Sequence, residues 1–97
     1  MPNHYAASLL RNLRNRILID AVIVDMLRMD IRPDETQLRF RCPLCGHFHT
    51  ATNSKTNLAR CFDCEKNFNP IDLVIAVTHC SFVDAVERLK KRSHWMG

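Results

Sequence analysis

Cys42-Pro43-Leu44-Cys45-Gly46 and Cys61-Phe62-Asp63-Cys64 decide how this chain is read. Each holds a Cys-x-x-Cys pair, and fifteen residues, Gly46 to Arg60, separate the pairs. That is the spacing of a four-thiolate zinc site. The reason is geometric: zinc has no d-electron preference, takes four ligands tetrahedrally and holds thiolate sulfur at about 2.3 Å. A Cys-x-x-Cys turn brings two sulfurs to one side of a tight knuckle, and two knuckles close the tetrahedron. Cys42, Cys45, Cys61 and Cys64 are therefore the expected ligands of one structural Zn2+. Pro43 stiffens the first knuckle by fixing its φ, and Gly46 takes a positive φ cheaply after it. The second knuckle has Glu65 at the matching place and is expected to be looser or differently turned. His47 and His49 lie close enough to compete as ligands, but four cysteines complete the shell and leave them exposed or supporting. The competing reading is two disulfides. The start, Met1-Pro2-Asn3-His4, lacks the charged residue and apolar run of a secretory leader. A reducing cytoplasm is then expected, where disulfides are disfavoured.

Ninety-seven residues are enough for one small domain with an appended helix. So short a chain buries a limited core, which a metal staple supplements. The formal charge is +4, from fourteen Lys and Arg against ten Asp and Glu. Four thiolates and one zinc ion would subtract two from it, so overall charge argues weakly for nucleic acid and local clustering matters more. No apolar run reaches the roughly 18 residues that span a bilayer. A soluble, cytoplasmic protein with no membrane partner is expected.

Around the knuckles the pattern predicts an α+β fold: a small antiparallel zinc-ribbon sheet, one or two N-terminal helices and two C-terminal helices. Residues 1–30 form the helical segment and residues 31–97 the ribbon with its following helices. From Tyr5 to Met29, Ala6, Leu9, Leu10, Leu13, Ile17, Ala21 and Val24 recur at helical spacing. Ile17 to Val24 is apolar nearly all round, so it is either covered on two sides or offered to a partner. Asp20 at a cap position would split the segment in two. Ile31-Arg32-Pro33-Asp34-Glu35 reads as a turn. Gln37 to Arg41 alternates, with Leu38 and Phe40 inward and Gln37, Arg39 and Arg41 outward. Phe48 to Thr52 is a second strand, Asn53 to Asn57 a turn, and Leu58 to Cys61 the returning strand. Asn69 and Pro70 start a helix ending near His79. Ser81 caps the last helix, with Asp84 three residues on. Its closing Arg88, Lys90, Lys91 and Arg92 suit a helix C-terminus. Cys80, outside the metal spacing, reads as a small buried hydrophobe.

Arg41-Cys42-Pro43-Leu44-Cys45, Arg60-Cys61-Phe62-Asp63-Cys64, Asn69-Pro70-Ile71-Asp72-Leu73-Val74 and Ser81-Phe82-Val83-Asp84-Ala85-Val86-Glu87-Arg88-Leu89 together resemble the zinc-binding domain of bacterial and phage DnaG-type DNA primases. The resemblance covers roughly Ile19 to Lys91. Cys45 stands where that family usually has a histidine ligand. The family's Glu-Lys-Thr-Pro-Ser-Phe stretch and its Gly-rich turn after the second knuckle are replaced here by Gly46 to Thr52 and Glu65 to Phe68. The carboxylate cluster that holds magnesium in the primase polymerase domain has no counterpart in these residues.

The resemblance implies a freestanding, non-catalytic zinc ribbon that binds single-stranded DNA template or a replication polymerase, primase or helicase, in a bacterial, phage or mobile-element setting. Arg39 and Arg41 on one strand face, Lys55 on the turn, Arg60 on the returning strand and Phe62 beside it are the expected nucleic-acid contacts, because a single strand needs cations for its backbone and aromatic faces for its bases. Phe48 is a further aromatic candidate, and Phe40 is core. A catalytic zinc keeps a position open for water, which four cysteines do not, although action in trans within a split primase is compatible. One alternative is an adaptor or dimerisation module whose apolar N-terminal helix docks on a partner or a second copy, with zinc purely structural. Another is a zinc-ribbon transcription regulator, for which no helix carries an evident base-reading row.

Overall fold

The computed structural model describes residues 5–33 and 37–96. It is an α+β molecule, as the pattern predicts. Helix α1 (Ala7–Arg16) is followed by a short α2 (Ile19–Ala21) that runs on into a π-helical turn, Val22–Met26. A two-stranded antiparallel ribbon pairs β1 (Ile31–Pro33) with β2 (Leu38–Phe40). A three-stranded antiparallel sheet follows, in the order β3 (Thr50–Asn53), β4 (Leu58–Cys61), β5 (Lys66–Phe68). Helices α3 (Pro70–Thr78) and α4 (Phe82–Met96) complete the chain.

One continuous helix from Tyr5 to Met29 does not form. The chain breaks at Ile17 and Leu18, both extended, and the cause lies about forty residues away. Asn57, at the end of the β3–β4 turn, is buried there. Its Nδ2 donates to the carbonyls of Arg14 and Ile17, both at 2.7 Å. Its Oδ1 accepts from the Ile19 amide at 2.8 Å. One side chain thus satisfies the end of α1 and the start of α2, groups that a helix terminus otherwise leaves unpaired. Asp20 is not the cap. The π-helical turn, closed by the Leu27 amide on the Val22 carbonyl at 2.9 Å, then carries adjacent Val22 and Ile23 fully into the core. The chain itself therefore covers Ile17, Ile19, Val22 and Ile23 of the apolar run, while Leu18 and Val24 stay exposed.

Ile31 to Pro33 is a strand and not a turn. Arg32 stands opposite Arg39 and Ile31 opposite Phe40, so pairing with β2 satisfies backbone that a turn would expose. Asp34 and Glu35 lie outside the described residues, as does Met1 to His4. The second strand begins at Thr50 rather than Phe48. The Thr50 hydroxyl accepts from the Phe40 amide at 2.9 Å and donates to the Phe40 carbonyl at 2.6 Å, stitching the ribbon to the larger sheet. The third strand, β5, has no counterpart in the sequence reading.

The C-terminal half follows local chemistry. Asn69 and Asp72 form a reciprocal capping box at α3, with Pro70 at the first helical position. His79 ends α3 in the left-handed region at φ 59°. The Ser81 hydroxyl accepts from the Asp84 amide at 3.0 Å. Leu13, Ile17, Ile19, Val22, Ile23, Phe40, Leu73, Val74, Val86 and Leu89 share one core with Cys42 and Cys61. Cys80 packs against it partly buried. Among the described residues no helix is long and apolar enough to cross a membrane.

Candidate metal centre and sheet face

The two knuckles share a left-handed residue after the second cysteine and differ in their amide-to-sulfur contacts. In the first, the Gly46 amide donates to the Cys42 carbonyl at 2.9 Å and the Cys42 amide to the His47 carbonyl at 2.8 Å. The Leu44 amide points at Cys42 Sγ, 3.4 Å away. In the second, the Cys64 amide points at Cys61 Sγ, also at 3.4 Å. Gly46 has φ 78° and Glu65 φ 55°. After the second knuckle a glutamate thus adopts the left-handed region that glycine adopts after the first.

The knuckles bring Cys42, Cys45, Cys61 and Cys64 together, with all four sulfurs within 4.8 Å of one another. Cys42 Sγ lies 3.8 Å from Cys64 Sγ, and Cys45 Sγ 3.6 Å from Cys61 Sγ. A regular tetrahedron of thiolates at about 2.3 Å from zinc has edges of about 3.8 Å. The donor set therefore fits a tetrahedral metal ion, and these separations exclude S–S bonds, which are about 2 Å long. Burial pushes the Cys61 thiol up. The Cys64 amide and the thiols of Cys42, Cys45 and Cys64 outweigh this and bring it down to about 7. Cys64 is driven the other way, up to about 12, by burial and by the other three thiols. Cys42 is raised, chiefly by burial.

His47 and His49 are not in this shell. Each places Nδ1 3.1 Å from the Asp63 carboxylate, His47 on Oδ2 and His49 on Oδ1. The hydrogen bonds from His49 and then His47 hold the Asp63 carboxyl below its ordinary value.

The expected nucleic-acid contacts fall into two groups. In β4, Ala59 and Cys61 face the core, whereas Leu58 and Arg60 face out. Arg60 pairs across with Ala51 and Asn67. Gln37, Asn53, Arg60, Phe62 and Asn67 line an open groove of about 300 Å3 on this face. Lys55 lines a shallower groove that shares Gln37, Thr52 and Asn53 with it. Lys55, Arg60 and Phe62 thus lie along one strip. Phe62 is 44% exposed, with the Arg60 guanidinium 5.6 Å from its ring and the His49 ring 5.2 Å away.

Arg39 lies in β2 of the ribbon, and Arg41 directly follows that strand. Arg41 is held: its Nε donates to Asp30 Oδ2 at 3.0 Å and a terminal nitrogen to the Gly46 carbonyl at 3.0 Å. It pins the first knuckle to the ribbon. The guanidinium carbons of Arg32 and Arg41 lie 4.1 and 4.7 Å from the centre of the Phe48 ring. Phe48 is thereby half covered, and Phe40 is fully buried. Arg32 is not found from sequence, because Ile31 to Glu35 reads as a turn, and neither are Asn53 and Asn67, whose common face depends on strand register. The chain matches no protein-family model, and no curated protein matches it.

Proposed function

We propose that the chain is a non-catalytic zinc ribbon whose open sheet face holds single-stranded DNA, in the manner of the primase zinc-binding domain it resembles. One Zn2+ on Cys42, Cys45, Cys61 and Cys64 fixes the two knuckles, and the four-thiolate shell makes its role architectural. The observation that carries the reading is Phe62. A large aromatic ring exposed beside a cation, on the wall of the sheet-face groove, is what a stacked base and its phosphate require. The adaptor alternative would use Leu18 and Val24, the large apolar side chains of the N-terminal segment that stay exposed.

Anisotropy of a labelled oligothymidine tests the proposal. Removing one stacking aromatic costs about 1–3 kcal/mol, so Phe62→Ala weakens binding between several-fold and a hundredfold. Arg32, Arg39, Lys55 and Arg60 set an upper bound of four phosphate contacts beside Arg41, which is held by Asp30. At about −0.7 per phosphate, the log–log salt slope is then no steeper than about −3. Binding indifferent to salt, or unchanged in Phe62→Ala and Arg60→Ala, overturns it.

A further inference from the structure

A second donor set lies against the rim of the four-cysteine cluster: Cys45 Sγ and the ligand atoms of His47 and Asp63 are all within 4.8 Å of one another. We propose that these three residues hold a second divalent cation of the zinc or cobalt class, with the Cys45 thiolate bridging it to the first ion. The inference rests on occupancy of the four-cysteine site.

Four observations support it. Cys42 and Cys61 are sealed in the core at 1% and 0% exposure, whereas Cys45 is only partly covered. Its sulfur keeps lone pairs that a second ion can reach, and the outer donors gather at Cys45 rather than at Cys64. Second, His47 Nδ1 and Asp63 Oδ2 are 3.1 Å apart. With bonds of about 2.1 Å to a common ion, that separation subtends about 95°, between octahedral and tetrahedral angles. Third, the Asp63 carboxylate is pre-set, because His49 Nδ1 holds its other oxygen at 3.1 Å. Both His47 and Asp63 side chains are well exposed, so solvent can complete the shell. Fourth, a zinc tetrathiolate carries a net charge of −2, and Asp63 adds another negative charge beside it, which draws a cation to this rim. A sulfur, nitrogen and oxygen set selects zinc-like ions over magnesium or calcium.

The test uses the full chain brought to one equivalent of zinc and then titrated with Co2+. Thiolate ligation is read from the sulfur-to-cobalt absorption band, and released zinc from a chromophoric chelator. The expected result is one further equivalent of cobalt with a thiolate band and no zinc released. His47→Ala and Asp63→Asn should each weaken that equivalent at least about tenfold, since even outer-shell losses cost that much. The exposed Asp20→Asn control leaves it unchanged. Retention of the first zinc in each variant shows that it folds. A total of one equivalent, cobalt replacing zinc one for one, indifference to both variants, or binding without a thiolate band overturns the proposal. Failure to hold the first zinc overturns the zinc-ribbon reading as well and is seen before cobalt is added.

Discussion

Replacing Asn57 by alanine removes three hydrogen bonds at once and leaves the Ile19 amide and two helix-end carbonyls short of partners. Each unsatisfied buried group costs about 1–3 kcal/mol, so Asn57→Ala should lose at least about 3 kcal/mol of unfolding free energy in a urea titration. Asn57→Asp should do no better, since it presents lone pairs to the carbonyls of Arg14 and Ile17. Asn57 also sits at φ 56°, where asparagine is better tolerated than most residues. None of this can be read from the residues around position 57, because every partner is remote in sequence. The cysteines are the opposite case: metal coordination is set by short spacings, so the cluster is legible without a structure. Glu65 lies between the two. Its position after the second knuckle is visible, but its left-handed backbone is not, because no glycine marks it. Glu65→Gly should stabilise the metal-loaded protein by about 1 kcal/mol, and Gly46→Ala should cost about as much. A methyl at Gly46 would meet nothing within 4 Å, so that cost is backbone strain alone. Chemical denaturation of the two variants in the presence of zinc checks both signs.

Helices α3 and α4 were legible because their caps are local: Asn69 with Asp72, and Ser81 with Asp84. The broken N-terminal helix, β1 and β5 were not, because each depends on a partner element. The chain just before α1 is also joined to α4, where the Tyr5 hydroxyl donates to Glu87 Oε2 at 2.9 Å. That bond first, and Lys90 after it, hold the Glu87 carboxyl below its ordinary 4.5. A carboxylate lowered on folding stabilises the fold above its unfolded pKa and ceases to do so as pH falls through the lower, folded value. Tyr5→Phe should therefore be less stable than the parent at neutral pH. The gap should narrow as the medium is acidified from about pH 5 downward through the carboxylate range. Melting curves of the pair across that range measure it, and a gap that widens on acidification would contradict the assignment.

At the level of the whole molecule, the β3–β4 hairpin is held at both ends. Cys61 enters the metal cluster at one end, and Asn57 enters the joint between α1 and α2 at the other. Zinc binding supplies an apparent ~10–16 kcal/mol to small domains, comparable to or above a typical net stability. Excess chelator should consequently remove helical and sheet signal together, in one transition by circular dichroism, rather than melting a local loop. A helical signal that survives metal removal would place the joint outside the cooperative unit. The hairpin's exposed tip, Ser54 to Thr56, lies outside the stretch from Asn57 to Cys61, and such tips usually accept extra residues. The strand itself is a ruler read from two sides: length added between Asn57 and Cys61 must be absorbed between a fixed plug and a fixed anchor. Labels belong at the tip and not in the strand.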